Sequence, residues 1–427
     1  MDNRIASLRQ FLDGAKSVFH STELLKNRLE KEGYQYLSES ENWKVKPGGK
    51  YYMTRGGAAL IAFRVPEGEP SGFMMVAGHS DRPTFKVKEN PILNGKYQRL
   101  AVEPYGGMLM STWLDRPLSV AGRVMVEKDG VIETKIIDID RDLLLIPNVA
   151  IHMNRGVNQN QSWNPAVDLI PLMADAGEEE RFLKMLEEIA GGKILGHDLY
   201  LYVRQKASVW GLQEEFISSA AVDDLTCVFC ALEGFLAAKS SAAIPLFCAF
   251  DSEEVGSCSM QGAGSNLLEL VMLRICRAMG WQAEQMLGQS FMVSADNGHA
   301  IHPNHPEYAD PNNAPVINSG IVLKFNANQR YTTDGVSAAV FRKICEKAGA
   351  PTQTYCNRAD IPGGSTLGHI SMTHVSIHSV DVGLPQLSMH SCYETAGVKD
   401  ILSMMDVMTC FYSSSLHSTK DGSYQVI

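Results

Sequence analysis

Residues 244–256 read Ile244-Pro245-Leu246-Phe247-Cys248-Ala249-Phe250-Asp251-Ser252-Glu253-Glu254-Val255-Gly256. The apolar run from Ile244 to Phe250 predicts a buried strand, and the adjacent acids Glu253 and Glu254 fall on the loop that leaves it. Two like charges at the end of a buried sheet cost free energy unless a cation or a proton compensates them. Two interpretations are therefore open: the glutamates bind a metal, or both are simply solvated loop residues.

The composition is that of an ordinary globular protein, with 427 residues, 45% hydrophobic and 20% charged, and a formal net charge of −10. The length predicts two domains, or one large unit with an insertion. No basic run is present to neutralise phosphates, which argues against nucleic acid and anionic membranes as partners. No apolar segment reaches the length of a membrane span, and the N-terminus lacks the apolar core of a signal peptide. We therefore expect a cytoplasmic protein whose cysteines are reduced thiols in the core.

The hydrophobic pattern alternates between helices and strands over most of the chain, as expected of helices that flank a mostly parallel or mixed sheet. It predicts strands over 244–250, 291–295, 320–325 and 375–380, and helices over 224–238, 266–279, 336–348 and 398–412. Between about 92 and 205 the pattern becomes β-rich, with a hairpin turn at Asp129-Gly130. We therefore predict a discontinuous α/β domain formed by residues 1–91 and 206–427, with a β-rich domain inserted at 92–205.

Five groups of acids and histidines lie at or near predicted element ends. They are His79 and Asp81; Asp223 and Asp224; Glu253 and Glu254; Asp296, His299 and His302; and His390. Taken singly, each group has a structural explanation, such as helix-capping acids at 223 and 224. Together they supply the histidines and carboxylates that two neighbouring divalent cations need in a dinuclear hydrolase. The spacing alone does not say which glutamate binds metal, nor does it choose among Asp296, His299 and His302.

The sequence resembles the aspartyl aminopeptidases and the vacuolar leucine aminopeptidase, a family of co-catalytic zinc exopeptidases. The resemblance covers essentially the full chain, and it rests on Ala77 to Asp81, Ser111 to Arg116, Ile146 to His152, Asp251 to Ser257, Ser294 to Asp296 with His299 to Asn304, and Pro385 to Ser391. It implies a phosphorylase/hydrolase-like three-layer α/β catalytic domain whose inserted β-rich domain mediates dimerisation. It also implies dimers that assemble into a dodecamer, and two Zn²⁺ ions per subunit, with Co²⁺ or Mn²⁺ as alternatives.

The resemblance further assigns metal ligands and a base. The ligands it implies are His79 and Asp296 on one zinc, Glu254 and His390 on the other, and Asp223 as the bridge between them. Glu253 would accept a proton from the attacking water, and Asp81 would hydrogen-bond the imidazole of His79 and fix its tautomer. Asp224 stands where the family often has asparagine, and we expect it at a helix start outside the ligand set.

Three more residues concern the substrate. His152 matches a histidine that the family projects across a subunit interface into the neighbouring active site, where it would stabilise the oxyanion. A structural histidine is the alternative. Lys324 is a cation in an apolar predicted strand, and it would contact an acidic substrate side chain close to Tyr331. The alternative pairs Lys324 with a structural Asp or Glu.

We therefore predict an aminopeptidase that acts on peptides with a free N-terminus and prefers Asp or Glu there. A neutral aminopeptidase of the leucine type, an N-deacylase or a carboxypeptidase would use similar metal chemistry. An inactive assembly protein that keeps the fold is a further alternative. The complete ligand set argues against that last alternative, because a protein without this chemistry has no reason to hold so many acids together.

Overall fold

The computed structural model describes residues 2–176 and 181–427. Its α-helices are α1 (Asn3–Gly14), α2 (Val18–Lys31), α3 (Arg181–Ala190), α4 (Val222–Ala237), α5 (Leu267–Met279), α6 (Ala283–Leu287), α7 (Gly335–Ala348), α8 (Leu367–Ser371) and α9 (Val398–Tyr412). The strands of its first half are β1 (Gln35–Tyr36), β2 (Lys50–Arg55), β3 (Ala59–Arg64), β4 (Phe73–His79), β5 (Thr84–Leu93), β6 (Tyr97–Tyr105), β7 (Leu118–Lys128), β8 (Val131–Asp138), β9 (Leu172–Asp175), β10 (Ile194–Val203) and β11 (Ser208–Trp210). The remaining strands are β12 (Phe216–Ser219), β13 (Ile244–Phe250), β14 (Phe291–Ala295), β15 (Gly298–His299), β16 (Ile321–Phe325), β17 (Thr352–Cys356), β18 (His378–Gly383), β19 (Pro385–Leu387), β20 (Glu394–Gly397), β21 (Leu416–Lys420) and β22 (Ser423–Val426).

Four parallel strands form the centre of a mixed sheet whose strand order is β1-β2-β3-β13-β4-β14-β18-β16-β17. β13, β4, β14 and β18 run in one direction, whereas β3 and β16 pair antiparallel at either side of them. Every residue of β13, β4 and β14 is buried, as the continuous apolar runs in their sequences predict. The prediction of a mixed α/β fold is confirmed.

Alternate residues of β13 face two separate hydrophobic clusters. Phe247 packs into the cluster that contains α4 and α9, while Leu246 packs into the cluster that contains α5. A Cβ at Gly234 would lie 2.4 Å from the Cβ of Met408, so the glycine allows α4 to approach α9 closely. Helices therefore cover both faces of the sheet, and α4 lies against β4 with its N-terminus near the end of that strand.

A second sheet is antiparallel and has the strand order β8-β7-β10-β5-β6-β9. Asp129 and Gly130 join β7 to β8 with φ values of 53° and 78°, which fit the hairpin turn predicted from the sequence. The sheet has a hydrophobic cluster of its own, with Phe85 and Leu201 among its buried residues. It begins at Thr84, and the domain boundaries at 92 and 205 stay a prediction.

A third, smaller sheet of order β11-β12-β20-β19-β15 links the central sheet to α4 and α9. The strand predicted at 375–380 begins later, at His378, because Val375 still belongs to the turn after α8 and donates its N–H to Ser371 O.

Of the nine free cysteines, Cys258 is exposed, so the expectation of core thiols is wrong there. In the part of the chain that the structure describes, no helix has the length and apolar character needed to cross a bilayer.

Candidate active site

The predicted metal ligands and Glu253 converge at the carboxyl ends of the central parallel strands. His79 is the last residue of β4, and Asp296 directly follows β14. Glu253 and Glu254 form a short 3₁₀ turn (Glu253–Val255) just beyond β13. Because parallel strands end at one edge of a sheet, residues far apart in sequence meet there. His390 reaches the same edge from the loop between β19 and β20.

Asp223 is the residue around which the cluster is arranged. Its Oδ1 atom lies 3.6 Å from Nε2 of His79, and its Oδ2 atom lies 3.8 Å from Nε2 of His390. Three sets of side chains have ligand atoms close enough to hold one cation: His79, Asp223 and Asp296; His79, Glu253 and Glu254; and Asp223, Glu254 and His390. The first and third sets share only Asp223, so each of its two oxygens faces a different set.

Two carboxylate oxygens of the cluster are buried and accept no hydrogen bond from residues 2–176 or 181–427. Oδ1 of Asp223 and Oε1 of Glu254 have no hydrogen bond and no contact with solvent. A buried carboxylate oxygen without a donor is costly, and bound cations remove that cost. The donor set of two imidazoles and several carboxylates suits zinc, so the residues present fit the predicted metal site.

Burial also opposes ionisation of the clustered acids. It raises the pKa of Glu253 to about 8 and that of Asp296 to about 6. Burial, together with the charge of Asp223, raises the pKa of Glu254 well above its usual range. Asp223 differs, because contact with His79 lowers its pKa although burial opposes the change. Positive charge is therefore what this pocket needs to hold all four acids ionised.

Asp81 holds the acidic turn in place. Its two carboxylate oxygens accept the backbone N–H groups of Glu253 and Glu254, at 3.1 and 3.2 Å. Nδ1 of His79 lies 3.2 Å from the carbonyl oxygen of Asp81 and 3.3 Å from its Oδ1 atom. The residue thus contacts the imidazole and in addition fixes the backbone of both glutamates.

Lys324 is buried beside the cluster. Its Nζ donates to the carbonyl oxygen of Asn297 at 2.9 Å, lies 3.5 Å from Oδ2 of Asp296 and stands 5.3 Å from the ring centre of Tyr331. Burial opposes its charge, but the Asp296 carboxylate raises its pKa above the usual range. The predicted alternative of an acidic partner is therefore present, and that acid is itself a predicted metal ligand.

Three predicted residues lie apart from the cluster. His152 is exposed on a turn between β8 and β9, and His299 is exposed with its ring 5.9 Å from that of Tyr355. His302 bridges to His305, at the border of a cavity of about 330 Å³ that His299 also lines. Within residues 2–176 and 181–427, neither His299 nor His302 joins a set that could hold a cation.

Asp224 has a more specific place than the sequence indicates. It is fully buried, and its Oδ2 accepts the backbone N–H of His79 at 3.3 Å. A cis peptide bond joins Asp223 to Asp224. The prediction that Asp224 lies at the start of a helix holds, and its side chain anchors the end of β4.

Two contributions to the site were not found from the sequence. Tyr105, at the end of β6, donates its hydroxyl to Asp81 at 2.8 Å, and the N–H of Leu109 donates to His390 O at 2.9 Å. A Cβ at Gly106 would lie 3.1 Å from the Cβ of Glu254, and its φ of 74° also favours glycine. The Gly106-Gly107 pair was the available signal. The second contribution comes from Glu394, a buried acid at the start of β20. No sequence motif marks this residue.

The chain is similar to known proteins over nearly its whole length. A family described as aminopeptidase I zinc metalloprotease (M18) matches residues 11–412. A probable M18 family aminopeptidase 2 of Clostridium novyi (strain NT) is 42% identical over 434 residues, covering 97% of this chain and 100% of that protein. A chain in a cryo-EM structure of the Ape4 and Nbr1 complex is 34% identical with a TM-score of 0.92, covering 96% of this chain and 85% of that one. A chain of the S. cerevisiae mApe1 dodecamer is 26% identical with a TM-score of 0.84, covering 95% of each.

Proposed function

The chain belongs to the M18 family of zinc metallo-aminopeptidases, and we propose that it uses two metal ions to release N-terminal aspartate or glutamate from peptides. The observation that carries the two-metal proposal is the position of Asp223 between two imidazoles. One of its oxygens faces His79 and the other faces His390. A carboxylate shared in this way is what a pair of adjacent cations requires.

In this proposal the five ligands divide around Asp223. Asp296 and His79 would hold one zinc, and Glu254 and His390 would hold the other. The distance of 3.4 Å between Nε2 of His390 and Oε2 of Glu254 supports the second group. Co²⁺ or Mn²⁺ would also suit these ligands, because imidazole and carboxylate do not separate the three metals. When bound, two such cations would lower the pKa of a water molecule and polarise the substrate carbonyl.

Glu253 is the proposed general base. Its backbone N–H donates to Asp81, which fixes the main chain from which its side chain extends, next to the proposed ligand Glu254. It would accept a proton from the attacking water and then donate it to the amine that leaves. Neighbouring side chains on a tight turn diverge, which allows Glu254 to bind metal while Glu253 faces the water.

Lys324 and Tyr331 are the proposed determinants of the acidic preference. Both side chains are buried and lie close together. The positive charge of Lys324 is only partly neutralised, because the negative charge of Asp296 would be shared with a metal. An aspartate or glutamate side chain of the substrate would supply the missing negative charge. A neutral substrate would leave the ammonium without it.

The finer points of architecture also belong to this proposal. We assign residues 1–91 and 206–427 to a phosphorylase/hydrolase-like three-layer catalytic domain, and residues 92–205 to an insertion that forms dimers. The S. cerevisiae relative, a dodecamer, supports a similar assembly of these dimers. His152 would then extend across the subunit interface and stabilise the oxyanion in its partner's active site.

Nine free cysteines favour a reducing compartment, consistent with a cytoplasmic location.

A substrate panel tests the function. The full-length protein is assayed on free-amine Asp, Glu and Leu amides and on an N-acetyl-Asp amide, before chelation, after it, and after zinc is restored. We expect chelator-sensitive release from the Asp and Glu amides, with the acetylated compound untouched. Faster release from the Leu amide would discard the acidic preference and keep the enzyme class. Cleavage of the acetylated compound would point to an N-deacylase instead.

A further inference from the structure

Glu394 connects two segments that carry proposed metal ligands. It is the first residue of β20, is 2% exposed, and pairs across the sheet with Ser219 of β12. Its Oε2 accepts the backbone N–H of Asp223 at 2.9 Å, and its Oε1 accepts the backbone N–H of His390 at 2.7 Å. One carboxylate therefore holds the main chain at both residues.

We propose that Glu394 is a positioning residue that sets the separation of Asp223 and His390, and thereby the affinity of the cation site that they share with Glu254. The inference rests on the proposed function, because that function makes the three residues metal ligands. The role would be exerted through the backbone, since Glu394 is in none of the sets of described residues that could hold a cation.

The state of His390 explains why such a support is needed. Its side chain is 34% exposed, so packing alone does not hold the imidazole in place. Its backbone has a φ of 65°, in the left-handed region that non-glycine residues seldom adopt. The backbone N–H of His390 donates to Glu394 and its carbonyl oxygen accepts from Leu109, while Ser391 N–H closes the turn onto Ser388 O. Losing the bond to Glu394 would let the ligand move relative to Asp223.

A carboxylate is the side chain that this geometry requires. Two N–H donors converge on it from different segments, and each of its oxygens accepts one of them. A glutamine keeps one acceptor, while its NH₂ group would face the second donor. The substitution Glu394→Gln therefore breaks one of the two links with almost no change in volume.

Asp400 offers a matched control. It is 1% exposed, lies in the first turn of α9 close to β20, and also accepts two backbone N–H groups, from Asn318 and from Gly320 at 2.8 Å. Neither donor belongs to the cluster. Asp400→Asn thus removes a similar buried interaction without touching a proposed ligand.

The experiment compares zinc affinity in the wild-type protein and in the Glu394→Gln, Asp400→Asn and His390→Ala variants. Each full-length protein is stripped with a chelator and titrated with zinc against a chromophoric competitor, and its melting temperature is recorded. For Glu394→Gln we expect one of the two zinc affinities to fall about 10- to 100-fold, the effect typical of partners that orient a ligand. Excess zinc should restore its turnover. Asp400→Asn should melt earlier and keep both affinities.

Three results would overturn the inference or its premise. Unchanged zinc binding in Glu394→Gln, while His390→Ala loses one zinc, would reject the positioning role and leave the proposed function intact. Equal zinc weakening in Glu394→Gln and Asp400→Asn would reduce the effect to general destabilisation. If His390→Ala also bound two zinc ions, the proposed ligand set itself would be wrong. Glu394→Asp, whose shorter side chain reaches only one donor, replaces Glu394→Gln if the latter does not fold.

Discussion

The acidic cluster and the turn that carries His152 both contain residues that we propose for catalysis, yet they are built in opposite ways. In the cluster, Asp223 is 3% exposed and donates its own backbone N–H to Glu394, while Glu253 donates its backbone N–H to Asp81. The turn is exposed, and Met153 beside His152 is 82% exposed. A site formed within one chain carries its own polar support. The exposure of the turn leaves His152 free to contact a second chain, as the proposal requires.

Glu253→Gln should have the largest effect on catalysis. The amide cannot take the proton from water, so we expect kcat to fall about 10²- to 10⁴-fold. Zinc content should stay at the wild-type value, because Glu254 and not Glu253 is the proposed ligand. Elemental analysis of the purified variant alongside its kinetics checks both statements. Turnover close to that of the wild type would place the base elsewhere.

His152→Ala should lower kcat less than Glu253→Gln does. Removal of one oxyanion donor typically lowers kcat about 10²- to 10³-fold. Since the side chain is exposed in the chain, the melting temperature and the zinc content should not change. Kinetics, calorimetry and metal analysis on one preparation separate these outcomes. A drop in melting temperature of several degrees would favour a structural histidine.

Lys324→Met should change which substrate is preferred. A charged hydrogen bond is worth about 1.5–3 kcal/mol, so kcat/KM for the Asp amide should fall about 10- to 100-fold more than for the Leu amide. The ratio of the two rates is the quantity measured, because loss of the contact with Asp296 would lower both rates together. Equal losses would remove Lys324 from the substrate pocket.

Tyr105→Phe should have the smallest effect. It removes one hydrogen bond to Asp81, which corresponds to about 1 kcal/mol of unfolding free energy. Tyr200→Phe is the control, because its ring packs edge-on to Tyr105 at 5.7 Å while its hydroxyl is not bonded to Asp81. Denaturant unfolding and kcat are compared for the two variants. Identical kcat in both would mean that β6 does not support the acidic turn.

The sequence predicted best those parts whose pattern is local. Strand β13 and helix α9 have the predicted bounds, because apolar runs and helical spacing depend on near neighbours. The cluster was predictable in outline, because its acids and histidines follow strands that end at one edge. Glu394 and Tyr105 were not, since their role depends on which backbone groups the finished fold brings beside them. Neither residue belongs to a motif, and a glutamate in a short strand has no distinguishing neighbours.

The measurement that tests the account most directly is the activity of mixed assemblies. Glu253→Gln and His152→Ala chains are co-expressed in equal amounts, so that half of the dimers pair one of each. If His152 acts in its partner's site, each mixed dimer has one intact site, and the preparation should recover about a quarter of wild-type activity. Each variant alone should remain nearly inactive. Activity no higher than the mean of the two single variants would contradict the account and place His152 in its own chain.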